Sequence, residues 1–190
     1  MKKKTVVDLF CGAGGLSKGF LDAGYDVVLG VDYDESALKT FQENHGTATA
    51  MKLDLYNHDN ITCIVDFLKE KGIHTLDVLV GGPPCQGFSY AGKMDINDER
   101  NFLFKYYVKV VELVKPRYFV MENVPEITKS VILKEIKDSF KEAGYGLTER
   151  VLDASYCGVP QSRKRFFLVG SLNDEDDFLQ EELDRNLADA

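Results

Sequence analysis

The hydrophobic positions of the chain fall into short runs separated by longer segments of helical period. The short runs predict strands over residues 5–10, 26–31, 49–53, 76–80, 117–121, 147–152 and 165–169. Between them, apolar residues recur every three or four positions and predict helices over residues 15–23, 35–44, 61–71, 101–114 and 131–143. Regular alternation of strand and helix is typical of an α/β domain with a mostly parallel sheet.

Composition limits the class of protein further. The chain has 190 residues, of which 44% are hydrophobic and 28% are charged, so we expect one ordinary globular domain and a short tail. No apolar run reaches the roughly 18 residues that a membrane helix needs. Asp8 interrupts the first apolar stretch, which argues against a secretory signal. We therefore expect a cytoplasmic protein that does not contact a membrane.

Charge is concentrated at the carboxyl end. The net charge is −8, but residues 171–190 hold eight acidic side chains and one basic one, so residues 1–170 are nearly neutral. These totals do not favour a protein that binds nucleic acid through bulk positive charge. The shift in composition predicts a domain over 1–170 and an acidic tail over 171–190. A solvated, partly frayed end is favoured for this tail. The alternative is an amphipathic helix that docks on a partner through Phe178, Leu179 and Leu183.

The four cysteines show no metal or disulfide signature. They stand at positions 11, 63, 85 and 157 without a CxxC pair, and the chain has three histidines. Free thiols in a reducing compartment fit this pattern, and no metal site is expected. For Cys11, Cys63 and Cys157 the usual role of cysteine, a small buried hydrophobic residue, is favoured.

A glycine-rich turn joins the first strand to the first helix. The turn reads DLFCGAGGL over residues 8–16, and its glycines let the backbone approach a ligand closely: Gly12, Gly14 and Gly15. Asp32 follows Gly12 by twenty positions at the end of the second strand, where a carboxylate reaches ribose hydroxyls. Ser17 replaces the third glycine of the dinucleotide fingerprint, and no P-loop lysine is present. The turn therefore favours an adenosine-bearing cofactor other than NAD or ATP, with a ligand-free tight turn as the alternative.

A cysteine follows two prolines after the fourth strand, in the segment GGPPCQGFS. Pro83 and Pro84 fix the backbone before Cys85 at the carboxyl end of a strand, where a thiol is exposed to the ligand crevice and can act as a nucleophile. Residues 86–100 are polar and contain glycines, which predicts a mobile loop. Asp54, after the third strand, adds a second carboxylate at the same edge. The alternative is that its side chain only caps the next helix.

The fifth and seventh strands bring an acid and two arginines to that edge. Glu122 ends the fifth strand, and partial burial there would raise its pKa toward that of a proton donor. Gln161, Arg163 and Arg165 alternate along an extended segment and point to one side, where their donors suit a phosphate or a base carbonyl. The alternatives are a surface carboxylate for Glu122 and a salt-bridged surface strand for the arginines.

Together and in this order, these motifs resemble those of the cytosine-5 DNA methyltransferases. The segment 8–16 resembles the family's cofactor motif, and the segment Pro83-Pro84-Cys85-Gln86 resembles its nucleophile motif. Glu122-Asn123-Val124 and Gln161-x-Arg163-x-Arg165 match the next two motifs. The resemblance covers nearly all of residues 4–170. It implies a doubly wound, Rossmann-like fold of the S-adenosylmethionine-dependent methyltransferases. It also implies a location in the bacterial cytosol or nucleoid.

The resemblance also implies roles for individual residues. S-adenosylmethionine, which leaves as S-adenosylhomocysteine, would be bound by Phe10, Cys11, Gly12, Ala13, Gly14, Gly15, Leu16, Asp32, Tyr33, Asp54, Leu55, Pro84 and Leu103. Asp32 would bind the ribose and Tyr33 would lie against the adenine. DNA would be contacted by Gln86, Ser89 and Gln161. Catalysis would use Cys85, Glu122, Arg163 and Arg165.

The implied reaction adds a methyl group to C5 of a cytosine flipped out of double-stranded DNA. The Cys85 thiolate attacks C6, Glu122 protonates N3, and Arg165, aided by Arg163, binds O2. The sequence names no base for removing the C5 proton. Family members continue into a target-recognition domain, so we expect either a split enzyme whose second protein chain supplies recognition or a truncated chain. Two other functions stay open: an RNA (tRNA) cytosine-5 methyltransferase, and a non-catalytic cofactor-binding regulatory subunit.

Overall fold

The structure, a computed structural model, describes residues 3–84 and 102–188. Its strands are β1 (Thr5–Leu9), β2 (Asp26–Asp32), β3 (Thr49–Lys52), β4 (Val78–Gly81), β5 (Tyr118–Asn123), β6 (Tyr145–Asp153) and β7 (Lys164–Leu172). Its α-helices are α1 (Gly15–Asp22), α2 (Glu35–His45), α3 (His58–Glu70), α4 (Phe102–Val114), α5 (Val131–Glu142) and α6 (Gln180–Ala188). The predicted boundaries lie within three residues of these.

The strands form one seven-stranded sheet of order β3-β2-β1-β4-β5-β7-β6. Strands β1 to β5 are parallel, and β7 lies antiparallel between β5 and β6. The predicted mostly parallel α/β sheet is therefore confirmed. The chain winds one way from β1 through β2 to β3 and the other way through β4 to β5. Such a reversal opens a crevice at the carboxyl ends of β1 and β4, where ligands bind in folds of this type.

Helices cover both faces of the sheet, and β1 shows how alternate residues divide between them. Val7 and Leu9 belong to the larger hydrophobic cluster, which contains residues of α3, α4 and α5. Val6 belongs to the smaller cluster, which contains residues of α2 and packs against partly buried residues of α1. Because side chains alternate along a strand, Asp8 emerges on the face of Val6, next to α1 and α2.

The acidic tail is tied to the edge strand β6 in its described part. Strand β7 continues to Leu172, and beyond it Asp177 donates its backbone N–H to the Leu147 carbonyl at 2.9 Å. The Leu147 N–H in turn donates to the Asp176 carboxylate at 3.0 Å. These bonds satisfy backbone groups that an edge strand otherwise leaves exposed. The segment then enters α6, which contains Leu183 but begins after Phe178 and Leu179, so it matches the alternative helix only in part. A role of the tail in partner docking stays a prediction.

A glycine in β7 makes room for the aromatic core. A Cβ at Gly170 would lie 2.0 Å from the ring of Phe119, which is fully buried and packs against Phe140 and Tyr145. The ring cannot move aside, so we expect Gly170→Ala to lower the free energy of unfolding by about 1–3 kcal/mol. Urea unfolding followed by circular dichroism measures this change.

Gly19→Ala is the matched control, because Gly19 lies exposed on α1 and a Cβ there would meet no atom within 4 Å. This substitution should raise the free energy of unfolding by about 0.5–1 kcal/mol, since alanine favours the helix. Equal effects of both substitutions would contradict the packing argument.

Candidate active site

Two cavities open side by side at the carboxyl ends of the parallel strands, and Phe10 lines both. The β2 cavity has a volume of about 560 Å³, and its lining is Phe10, Asp32, Tyr33, Leu53, Asp54, Leu55, Tyr56, Pro84 and Leu103. The β5 cavity has a volume of about 530 Å³, and its lining is Asp8, Phe10, Cys11, Gly15, Leu16, Gly82, Glu122, Leu152, Ala154, Cys157, Arg163, Arg165 and Phe167. The two cavities are therefore neighbours that share Phe10 as a wall.

The glycine turn takes backbone conformations that need glycine. Gly14 has φ +88° and a Cβ on it would lie 2.2 Å from the His45 ring, so no other residue fits there. Gly12 has φ +51° and open space around its Cα. The Gly12 N–H donates to Asp32 Oδ2 at 2.8 Å, which fastens the turn to the end of β2.

The Asp32 carboxylate organises the β2 cavity. Its second oxygen, Oδ1, accepts from the Asp34 N–H at 2.9 Å, so backbone donors hold both oxygens in place. A carboxylate oxygen has more than one acceptor direction, which leaves capacity for ligand hydroxyls. Tyr33 is 74% exposed beside it and offers a free aromatic face. The cavity thus pairs a fixed acceptor with a stacking surface, as a nucleoside requires.

We expect Asp32→Asn to weaken the binding of an adenosine cofactor by about 10- to 100-fold. The amide keeps an oxygen for the Gly12 N–H, but its NH2 group then faces the Asp34 N–H, and the charge that strengthens hydrogen bonds from ligand hydroxyls is lost. A hydrogen bond to a charged acceptor contributes about 1.5–3 kcal/mol. Isothermal titration calorimetry with S-adenosylmethionine measures this. Asp66→Asn, an exposed change on α3, is the control. Unchanged affinity in Asp32→Asn would exclude the carboxylate from the binding site.

Glu122 and Arg165 form an ion pair in the β5 cavity. Arg165 Nε lies 2.8 Å from Glu122 Oε1, and the two side chains are 25% and 27% exposed. Burial raises the pKa of Glu122, although the positive charges of Arg165 and Arg163 oppose the shift. The rise in pKa that the sequence predicts for this carboxyl is therefore confirmed. A carboxyl that stays protonated to higher pH beside guanidinium groups can donate a proton and bind a carbonyl oxygen in one site.

Asn123 anchors the segment that leads to Cys85, although it is not among the site residues predicted from the sequence. Its buried Nδ2 donates to the Pro83 carbonyl at 2.9 Å, and its Oδ1 accepts from the Val124 N–H. Gly82 lies against the acid as well, since a Cβ there would be 3.1 Å from Glu122 Oε2. The available signal was the position of Asn123 beside Glu122 at a strand end, where buried amides are usually hydrogen-bonded.

The structure brings most of the predicted site residues to this crevice. The residues predicted to bind the cofactor line one of the two cavities or form the glycine turn between them. Glu122, Arg163 and Arg165 line the β5 cavity. Gln161 is exposed and lies outside both linings. Cys85, Gln86, Ser89 and the predicted loop over 86–100 lie outside the described residues.

Two cysteine predictions are wrong. Cys11 is buried, as predicted, and burial raises its pKa. Cys63 and Cys157, however, are exposed. Cys63 lies on the solvent side of α3, because the helix directs Ile61 and Ile64 into the core instead. Cys157 ends a short 3₁₀ turn before Gly158 and lines the β5 cavity.

Within residues 3–84 and 102–188, no cluster of three or more potential metal-ligating side chains occurs, and no helix is long and apolar enough to cross a membrane.

The fold and the crevice define an α/β protein whose sheet has, at its switch point, a crevice suited to a nucleoside cofactor. Comparison with known proteins gives the family. The model of the C-5 cytosine-specific DNA methylase family matches residues 4–189. The chain belongs to this family.

Individual relatives agree. The chain is 45% identical to the Type II methyltransferase M.HindV of Haemophilus influenzae, over 96% of this chain and 58% of the relative. It is 40% identical to the Type II methyltransferase M.HgiDI of Herpetosiphon aurantiacus, over 86% and 51%. The chain thus spans about half the length of the curated relatives it matches.

Solved structures show the same fold. The crystal structure of S. pombe Dnmt2 methyltransferase superposes with a TM-score of 0.74 at 24% identity, over 93% of this chain and 52% of that one. The structure of DNMT2 from Spodoptera frugiperda superposes with a TM-score of 0.71 at 26% identity, over 90% and 51%. The Rossmann-like methyltransferase fold that the sequence predicts is confirmed.

Proposed function

We propose that this chain is the catalytic part of a DNA (cytosine-5)-methyltransferase that uses S-adenosylmethionine. The observation that carries the proposal is that a cavity suited to a nucleoside lies next to a cavity that holds an acid and two arginines, with Phe10 lining both. Membership of the C-5 cytosine-specific DNA methylase family supports the same reaction.

The residues present fit the cofactor. Its adenosine suits the β2 cavity, with Asp32 as acceptor for the ribose hydroxyls and Tyr33 beside the adenine; Asp54, Leu55, Pro84 and Leu103 complete the walls. Its cationic methionine end suits the β5 cavity, where one oxygen of the buried Asp8 carboxyl has no hydrogen-bond partner among the described residues. When bound, S-adenosylmethionine supplies an electrophilic methyl group on a sulfonium.

The chain's own residues then activate the target cytosine. Cys85 adds through its thiolate to C6, which makes C5 nucleophilic. Glu122 protonates N3 and relieves the negative charge that develops on the ring. Arg165, aided by Arg163, binds O2 and holds Glu122 in place through the ion pair. After methyl transfer, loss of the C5 proton eliminates the thiolate; we assign no residue to that proton.

Double-stranded DNA is the proposed substrate, with a second protein chain carrying the target-recognition domain. The near-neutral charge of residues 1–170 supports this division, because affinity for DNA depends largely on phosphate contacts by basic residues. The Type II methyltransferases among the relatives support a role in bacterial restriction-modification, and thus a place in the cytosol or nucleoid. Gln86, Ser89 and Gln161 are the proposed DNA contacts of this chain.

Covalent trapping tests the function. The chain is incubated with labelled S-adenosylmethionine and duplex oligonucleotides that contain 5-fluorocytosine, which blocks the final elimination because C5 carries fluorine. We expect a denaturation-resistant complex with DNA, and no complex with matched tRNA. Trapping on tRNA alone would move the function to RNA methylation. If the chain binds the cofactor but is trapped on neither DNA nor tRNA with the recognition subunit present, the remaining function is that of a regulatory cofactor-binding subunit.

A further inference from the structure

Residues 154–163, the β6–β7 loop, connect the last two strands of the sheet. Because β7 runs antiparallel to β5, with Phe166 opposite Asn123, this loop lies beyond the carboxyl end of β5. Two of its side chains, Cys157 and Arg163, line the β5 cavity. The proposed reaction uses Arg163 but does not explain what holds it at the cavity.

Arg163 lies outside the strand that supports the other arginine. Strand β7 begins one residue later, and Arg165 within it is held by pairing with Leu152 and by the ion pair with Glu122. Arg163 is exposed, and among the described residues no acidic side chain forms a direct ion pair with it. The direction of its side chain therefore depends on how the loop fixes its backbone.

The Asp153 carboxylate, at the end of β6, ties the two ends of the loop together. At the start of the loop, its Oδ1 accepts from the Ser155 N–H at 3.1 Å and from the Ser155 hydroxyl at 2.9 Å. At the end of the loop, Oδ1 accepts from the Arg163 N–H at 3.1 Å and Oδ2 accepts from the Ser162 hydroxyl at 3.2 Å. These bonds, above all that from the Ser155 N–H, lower the pKa of Asp153, so the group is a carboxylate at neutral pH.

Both backbone polar groups of Arg163 bond to the end of β6. Its N–H donates to Asp153, and its carbonyl accepts from the Ala154 N–H at 3.0 Å. Within the loop, the Ala154 carbonyl accepts from the Val159 N–H at 3.2 Å, and Gly158, with φ +79°, ends the 3₁₀ turn. The loop thus has a fixed shape that Asp153 closes, and a fixed backbone gives the Arg163 side chain a defined origin.

We propose that Asp153 is a positioning residue, which holds Arg163 toward the target base in the β5 cavity by closing the β6–β7 loop. The proposal rests on the proposed function for the identity of the base. Asp153 is absent from the lining of the cavity, so it acts through Arg163 and does not touch the base itself. Arg165 keeps its own support in β7, so loss of Asp153 should remove only the contribution of Arg163.

Amide hydrogen exchange, followed by NMR in the chain without cofactor or DNA, tests whether Asp153 fixes the loop. Asp153→Ala removes every acceptor, so the Arg163 N–H should exchange about tenfold faster than in the wild type. Asp153→Asn loses the same charge but keeps one oxygen for the backbone donors, and its NH2 group can donate to the Ser162 hydroxyl oxygen. It should therefore exchange as the wild type does. Wild-type exchange in Asp153→Ala, or fast exchange in Asp153→Asn, overturns the proposal.

Methylation kinetics, with the recognition subunit present where the chain requires it, test whether this positioning serves the reaction. Asp153→Ala should lower kcat about tenfold and change the KM for S-adenosylmethionine far less, while Asp153→Asn should retain the wild-type kcat. Arg163→Gln should lower kcat as well, and Asp153→Ala added to it should have no further effect, because both changes act through one guanidinium group. A merely structural role would lower the rate in both backgrounds, and such multiplied losses overturn the proposal.

Should Asp153→Ala fail to fold, Asp153→Ser replaces it. Serine can still cap the 3₁₀ turn at the Ser155 N–H, but its shorter side chain has a single oxygen and cannot also close the loop at Arg163. The Arg163 N–H should then exchange faster while the Ser155 N–H stays slow, and slow exchange at both overturns the proposal. If no variant and no wild-type chain transfers methyl groups, the proposed function fails, while amide exchange still decides whether Asp153 positions Arg163.

Discussion

Replacing Cys85 by serine is expected to lower the rate of methyl transfer by more than about 10³-fold. The proposed reaction begins with addition of a thiolate to C6, and a serine hydroxyl is scarcely ionised at neutral pH, so its oxygen adds far more slowly. Transfer of tritium from labelled S-adenosylmethionine to DNA measures the rate, with the recognition subunit present where the chain requires it. Covalent trapping on 5-fluorocytosine DNA should disappear in the same variant.

Cys63→Ser is the matched control, because Cys63 is an exposed thiol on α3 away from the crevice. It should retain both methyl transfer and trapping. Cofactor affinity should be unchanged in Cys85→Ser, which separates loss of the nucleophile from loss of the binding site. Trapping that persists in Cys85→Ser would show that another group makes the covalent bond, and the proposed chemistry would fail with it.

The fold could be predicted from the sequence because its signals are local. Strands such as β1 and β4 are short apolar runs, and α5 places Leu133, Ile136 and Phe140 at helical spacing on its buried side. The placement of β7 between β5 and β6 could not be predicted in this way. Strand order depends on contacts between distant segments, and the apolar run of β7 does not distinguish an antiparallel strand from a parallel one.

The candidate site was predictable where function requires a special backbone or a charge at a strand end, as at Gly14, Asp32 and Glu122. The supporting residues were not. His45 reads as an ordinary helix-terminal histidine, and only the fold brings it to Ser17. Asn123 reads as part of a motif, and only the fold shows that it holds the Pro83 carbonyl. Cys63 was misassigned because residue type says little about which side of a helix faces solvent.

Glu122→Gln is expected to lower the rate of methyl transfer by about 10²- to 10⁴-fold, the usual contribution of a positioned proton donor. The amide keeps the size of the side chain and can still hydrogen-bond to the base, but it cannot give a proton to N3. Cofactor affinity should change far less than the rate, since the adenosine is proposed to bind in the β2 cavity, whose lining lacks Glu122. Steady-state methylation with varied S-adenosylmethionine and varied DNA separates the two effects.

The pH dependence gives the sharper test of Glu122. Burial raises the pKa of this carboxyl, so the acid form persists above the range of a free glutamic acid and is lost as pH rises through the shifted value. The wild-type rate should therefore fall on the alkaline side of that pKa, and Glu122→Gln should lack this limb. Glu135→Gln, an exposed change on α5, should keep the wild-type profile. If Glu122→Gln keeps the full alkaline limb, another group is the proton donor. The wild-type Glu122, paired with Arg165, would then orient the base rather than protonate it.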